Sequence, residues 1–327
     1  MKRHLILSLV FLLSGLETTW ATSLDVGLQR CGVSFGNSKR FTGLRLNLVD
    51  REVEKIDGIS ISLWRPANNP NATFNGLAAG LVGLEARIIR GLAAGGVGIA
   101  GDEATGIAIG GIGIGGGKTR GLAIGGIGLG TRSASGILIG GVGLGCTNVS
   151  GIAVGGVGIG ATTIKGIAVG GVGLGATTIH GIAIGGVGTG ATTFSGVAIA
   201  GIGVGSSSFT GLSICGVGMG ASDVSGVTIS GVGAGASHFR GVGVCGLGVG
   251  GDALSGVFLC GGSIRAEDFR GFGASAYNRF TGHQDGLVIG IVNIASHLNG
   301  VQIGLINYAG NQREGFRLLP VFSMHFD

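Results

Sequence analysis

Glycine returns at every fifteenth residue from Gly76 to Gly256, through Gly91, Gly106, Gly121, Gly136, Gly151, Gly166, Gly181, Gly196, Gly211, Gly226 and Gly241. Thirteen consecutive repeats of one length point to a stacked array of a single supersecondary unit. Gly43 and Gly58 extend the series backwards, and an insertion around Asn68 to Asn71 widens the step to Gly76. Gly271, Gly286, Gly300 and Gly315 carry it forwards with one 14-residue step.

Numbered from its glycine, the repeat 151–165 reads Gly-Ile-Ala-Val-Gly-Gly-Val-Gly-Ile-Gly-Ala-Thr-Thr-Ile-Lys, with large aliphatics at positions 2, 4, 7, 9 and 14. Apolar residues two apart are the alternation of a strand. The step of three between pairs requires a corner if all are to face one core. The repeat therefore parses as three pentads, and each coil as three short strands joined by three corners. The predicted fold is an all-β solenoid with the large aliphatics inside and Ala153, Gly158 and Ala168 outside. Roughly sixteen coils stacked about 4.8 Å apart would make a rod of about 75 Å.

Composition removes the competing fibrous and helical folds. The chain has 76 glycines but only 3 prolines, whereas collagen needs a strict three-residue period rich in proline. Apolar residues make up 45% of it, too many for a disordered segment. Glycine in a helix interior costs about 1 kcal/mol relative to alanine, and each repeat carries several. An outer-membrane barrel is the remaining alternative. Its strands alternate in direction, so its two kinds of turn should give a period of two strands, yet every repeat looks alike.

The chain divides into four parts. Residues 1–21 read as a signal peptide: Lys2, Arg3 and His4 precede the apolar run from Leu5 to Leu16, and Thr19-Trp20-Ala21 offers a cleavage site that makes Thr22 the mature N-terminus. Residues 22–75, with Trp64, Pro66 and the run Asp50-Arg51-Glu52-Val53-Glu54-Lys55, form an N-terminal cap and first irregular coils. Residues 76–270 are the regular solenoid. Residues 271–327 hold the last coils and a cap, with Phe322, Met324 and Phe326 alternating as in a closing strand.

No residue stands out as catalytic, cofactor-binding or metal-ligating. The Gly156-x-Gly158-x-Gly160 spacing recurs in most repeats, whereas a phosphate loop occurs once, between a strand and a helix. Gly117-Lys118-Thr119 lacks the upstream glycine of a P-loop, since Ile112 stands in its place. The aspartate of calcium-binding repeats is replaced by glycine, as at Gly160. Asp223, Asp252, Glu267 and Asp268 lie near the third face at differing offsets and read as solvated surface. His180, His238 and His283 read as isolated and exposed, with His180 and Lys165 sharing a corner position. Cys215, Cys245 and Cys260 replace glycine at position 5. Cys245 and Cys260 fall in adjacent coils, close enough for a disulfide. With Cys31 and Cys146 the count of cysteines is odd, leaving at least one thiol unpaired within the chain.

Charge is the main anomaly. Between Gly121 and Thr210 only Arg132 and Lys165 are charged. A surface this plain suggests self-association, or a membrane or envelope protein as partner, through the uncharged faces of residues 121–210. The mild basic excess argues against nucleic acid, and no small-molecule substrate is evident. Thr162-Thr163, Thr177-Thr178 and Thr192-Thr193 stack in three coils, which admits an ice-binding surface as a further alternative.

Three stretches, Gly43-Leu-Arg-Leu-Asn-Leu-Val49, Gly286-Leu-Val-Ile-Gly-Ile-Val-Asn-Ile-Ala295 and Gly300-Val-Gln-Ile-Gly-Leu-Ile-Asn-Tyr-Ala309, resemble a family of leptospiral-type surface repeats found in spirochaetes and other Gram-negative bacteria. The central repeats fit the same frame without its asparagine. Several members are lipoproteins, whereas no lipidation cysteine follows the apolar run here. The resemblance implies a surface location and no established activity. The expectation is an exported, non-enzymatic structural or interaction protein of a bacterial envelope, at the cell surface, outer membrane or periplasm. An outer-membrane pore is the alternative.

Overall fold

A computed structural model describes residues 23–326; the signal-peptide reading of residues 1–21 lies outside the described residues. The protein is an all-β solenoid with coils of about 15 residues. It comprises two bodies, residues 23–126 and residues 127–326.

The first body begins with a hairpin of β1 (Leu24–Leu28) and β2 (Cys31–Phe35), paired antiparallel. Every later pairing in this body is parallel, through β3 (Arg40–Asn47), β4 (Lys55–Ser62), β5 (Thr73–Gly80), β6 (Gly83–Gly95), β7 (Gly98–Gly110) and β8 (Gly113–Gly125). In the second body, β9 (Gly128–Gly140) and its successors through β17 (Gly248–Cys260) are each 13 residues long. Each pairs in parallel with the residue fifteen further on, as Ile164 with Ile179 and Gly166 with Gly181. β18 (Ser263–Ala274), β19 (Tyr277–Ile289) and β20 (Val292–Ala309) continue the stack with two register shifts. β21 (Leu318–His325) then closes it antiparallel, its Phe322 opposite Ile303. Up-and-down barrels are built from antiparallel neighbours, so the parallel ladder excludes that alternative for the described residues.

Three corners turn each coil. One is the repeat glycine: Gly151, Gly166 and Gly181 have φ of 126°, 128° and 133°, a backbone region that only glycine enters without strain. A Cβ on Gly166 would also sit 2.1 Å from the carbonyl oxygen of Gly151 in the coil before. The positive φ recurs at every repeat glycine from Gly43 to Gly315 and the carbonyl approach at most of them, and together they explain the fifteen-residue period. The second corner is the bend at positions 6 and 7. There coil-to-coil bonding continues, with Gly156 N–H donating to Gly140 O at 3.0 Å and Val157 N–H to Val142 O at 2.7 Å. The third is position 12, where the register skips a residue, passing from Cys146–Ala161 to Asn148–Thr163.

The core differs from the expected one on one of its three sides. Positions 9 and 14 are interior, as with Ile159 and Ile164. Positions 2, 4 and 7 are not: Ile152 is 38% exposed and Val157 50%, while Val154 is half-buried. The interior of that side is formed by positions 3 and 5. Ala153 and Ala168, read from the sequence as outward, are fully buried. The physical reason is space. A Cβ on Gly155 would lie 2.9 Å from the Ile159 Cγ1 atom and 2.4 Å from the Gly158 carbonyl oxygen. In most coils large side chains come from two sides and the third contributes Ala and Gly, Leu138 and Phe258 being buried exceptions at position 3. In later coils phenylalanines enter the interior from the third side, with Phe194 and Phe209, in the row of Ile179, stacked at 5.1 Å and Phe269 and Phe280 at 4.7 Å.

Towards both ends the interior becomes polar. In the first body Arg45, at position 3, is wholly buried with Asp50. Its guanidinium donates to Asp50 Oδ1 at 2.8 Å, to Ser60 Oγ at 3.0 Å and to Asn37 Oδ1 at 3.1 Å. Asn47 and Ser62 donate to the same carboxylate at 2.8 and 2.6 Å. Asp50 is therefore an interior counter-ion; Arg51, Glu52 and Glu54 of that run are exposed. In the second body Asn278, in register with Ile264, begins a buried ladder, donating to Asn293, which donates to Asn307, each at 2.8 Å.

Candidate functional site: three unlike faces of the coil

Because strand residues alternate, each side of the coil shows the solvent a different set of positions. The side holding positions 2 to 5 presents positions 2 and 4, and position 7 stands at its corner. In the second body this surface is built from Ile, Val and Leu, as in Ile137, Ile152, Ile167 and Ile182 at position 2 and Ile214, Ile229 and Val244 at position 4. The corner row runs through Ile127, Val142, Val157, Val172, Val187, Ile202, Val217, Val232 and Leu247 without a polar residue. The first body exposes the same positions at Leu92, Val97, Ile107, Ile109 and Ile112.

The next side shows glycine. Position 10 is glycine from Gly115 to Gly250, and a Cβ at Gly145, Gly160, Gly175, Gly205 or Gly220 would meet nothing within 4 Å. Unlike the repeat glycine, this row is not required by backbone geometry or by space. It leaves the second side bare.

The third side carries the charge. Within residues 76–270 every charged side chain except Glu85 and Arg265 is at position 12, 13 or 15. In the last coils these groups pair between neighbours. His238 Nδ1 lies 3.2 Å from Asp223 Oδ1, and His283 Nδ1 3.2 Å from Asp268 Oδ1. The His283 ring also stacks on His297 at 5.1 Å, and Arg270 meets Asp285 at 3.2 Å. The histidines His238 and His283 are thus exposed, as expected, but not isolated; His180 and Lys165 are exposed at their corner. The backbone N–H of His283 and then its ring hold the Asp268 carboxyl below its usual range. An open dent of about 540 Å³ lies where small Ala253 and Ser255 sit between His238 and Arg240 on one side and Asp268 and Arg270 on the other. Among the described residues no group of three or more His, Cys, Asp or Glu is placed to hold a metal ion.

The threonine pairs are split by the third corner. Thr163, Thr178 and Thr193 stand in register, followed by Ser208, while Thr162, Thr177 and Thr192 occupy the corner itself. The cysteines of position 5 are buried free thiols, as is Cys146, and only Cys31 is exposed. Ser230 Oγ donates to Cys245 Sγ at 3.0 Å. The thiol of Cys260 is pushed up by its hydrogen bond to Cys245 and by burial.

The polar interior at the two ends and the aliphatic exterior between them were both missed by sequence reasoning. A usable signal was present in the alternation itself: if Gly155 and Ala153 face a crowded interior, Ile152 and Val154 must face out. Comparison with protein-family models, with curated proteins and with solved structures found no match.

Proposed function

We propose that this protein is an exported, non-enzymatic structural or interaction component of a bacterial envelope, acting through its uncharged faces. The observation that carries this reading is the sorting of surface chemistry: within residues 76–270 all charge but Glu85 and Arg265 lies on one side of the coil, and aliphatic side chains occupy another. Contiguous apolar patches beyond a few hundred Å² on a folded protein mark contact with a partner or a membrane. The apolar run after Lys2-Arg3-His4 supports export, and the resemblance of residues 286–309 to surface repeats supports the location.

Expression of the full chain in a Gram-negative host, followed by fractionation and intact-mass measurement, tests this. The expected product starts at Thr22 and is found in the periplasm, in the envelope or on the surface. A cytosolic protein that retains residues 1–21 would contradict it.

A further inference from the structure

We propose that the aliphatic face of residues 127–260 is the docking surface for a second copy of this chain, the two faces packing against each other as paired sheets. The inference rests on the reading that the protein acts through its uncharged faces, and it names the partner.

Positions 2, 4 and 7 repeat with every coil, and parallel register holds coil to coil from Gly128 to Cys260. The face is therefore a set of straight aliphatic rows whose members stand about 4.8 Å apart. Side chains of nearly equal size at constant spacing leave grooves of constant spacing. The surface that fills such grooves along their whole length is another with the same period, as in the dry interfaces between paired β-sheets.

From Ile127 to Leu247 the corner row spans eight coil-to-coil steps, or about 40 Å, and the side from position 2 to position 7 is about 15–20 Å wide. The face thus offers on the order of 700 Å² per copy, close to the roughly 800 Å² per partner that stable complexes bury. Its borders are low: position 1 on one edge is always glycine from Gly136 to Gly256. Beyond that edge, at position 15, Lys165, His180 and Arg240 are the large exposed side chains between residues 136 and 256.

The composition of the face favours a protein partner over a lipid surface. Structures that rest on bilayers combine the apolar face with Trp or Tyr at headgroup level and an excess of Lys and Arg. Residues 76–270 contain no Trp or Tyr, and residues 121–210 have Arg132 and Lys165 as their only charges. A bilayer also places no requirement on equal side-chain size from coil to coil.

Sedimentation equilibrium of the purified full chain tests the proposal with two triple variants. Val157→Lys, Val187→Lys and Val217→Lys place charge in the corner row, at residues already 45–50% exposed. Gly145→Lys, Gly175→Lys and Gly205→Lys place the same charge on the neighbouring glycine side, in open space. The native chain is expected to be dimeric or larger, the valine variant to dissociate at least about a hundredfold more readily, and the glycine variant to associate like the native chain. Circular dichroism should show unchanged β content in both variants. A native chain that stays monomeric at high concentration would overturn the proposal, as would binding to phosphatidylcholine vesicles by a monomer. Equal effects of the two variants would overturn it too, because association would not then run through the aliphatic face. Export plays no part in this readout, so it stands or fails separately from the fractionation result.

Discussion

Replacing Ile164 by Asp is expected to unfold the surrounding coils, whereas the same replacement at Ile152 is expected to cost about 1 kcal/mol or less. The two residues are an isoleucine each in one repeat, twelve positions apart, and nothing in their identity distinguishes them. Ile164 has no exposed surface, with Ile179 beside it in the next coil. Its removal forfeits about 2–5 kcal/mol of burial and packing. The buried carboxylate adds a desolvation penalty with no cation inside to offset it. Ile152 is 38% exposed, and exposed substitutions away from special features stay within about 0.5 kcal/mol; the part of the residue that is covered raises that to about 1 kcal/mol. Urea denaturation of dilute protein measures both. A larger loss at Ile152 than at Ile164 would mean that the interior has been assigned to the wrong positions.

The second large effect is expected at the N-terminal end. Asp50→Ala leaves the Arg45 guanidinium buried without its counter-ion, and breaking a buried pair in this way costs about 3–5 kcal/mol. The change also removes the acceptor used by Asn47 and Ser62. Against a typical total stability of about 5–15 kcal/mol, the loss should shift the denaturation midpoint strongly. The double variant Arg45→Met with Asp50→Asn removes both charges and keeps an acceptor for the two neighbours, so it should recover more than half of the loss. If the single variant unfolds like the native chain, the Arg45–Asp50 pair contributes nothing to holding the first coils.

The period and the parallel stack were legible in the sequence because they rest on a local constraint. At Gly166 both the positive φ and the approach of the Gly151 carbonyl exclude any side chain, so glycine marks the register in every coil. Which residues face inward was half legible. Ile159 and Ile164 follow the rule that large apolar side chains are buried, but Ile152 and Val157 break it. The rule fails on that side because the cross-section of the coil is too small for a third row of large residues, a property of the closed coil and not of any pentad. The polar interior was not legible for a related reason. Asn278 and Asn293 look like surface residues until the coil shows that they stand where Ile264 stands, with Asn307 hydrogen-bonded next to them. The His–Asp pairs became visible only when positions 13 of neighbouring coils were brought together. The three-faced surface had its signal in the placement of charge at positions 12, 13 and 15.

Fifteen residues make one turn, and the regular coils between the polar ends are interchangeable along the stack. Deleting Gly166–His180 removes one complete coil, joins Lys165 to Gly181 and keeps every interior position in place. Deleting Gly166–Gly175 removes two sides of a coil and leaves the third without a place in the ladder. The denaturation midpoints of these two deletion variants, with β content followed by circular dichroism, test the claim directly. The fifteen-residue deletion should keep its β signal and lose only a modest part of its stability, as in arrays whose stability is a near-additive sum of repeats. The ten-residue deletion, despite removing less, should lose cooperativity or aggregate. Equal stability of the two variants would show that the coil is not the structural unit and would contradict the account.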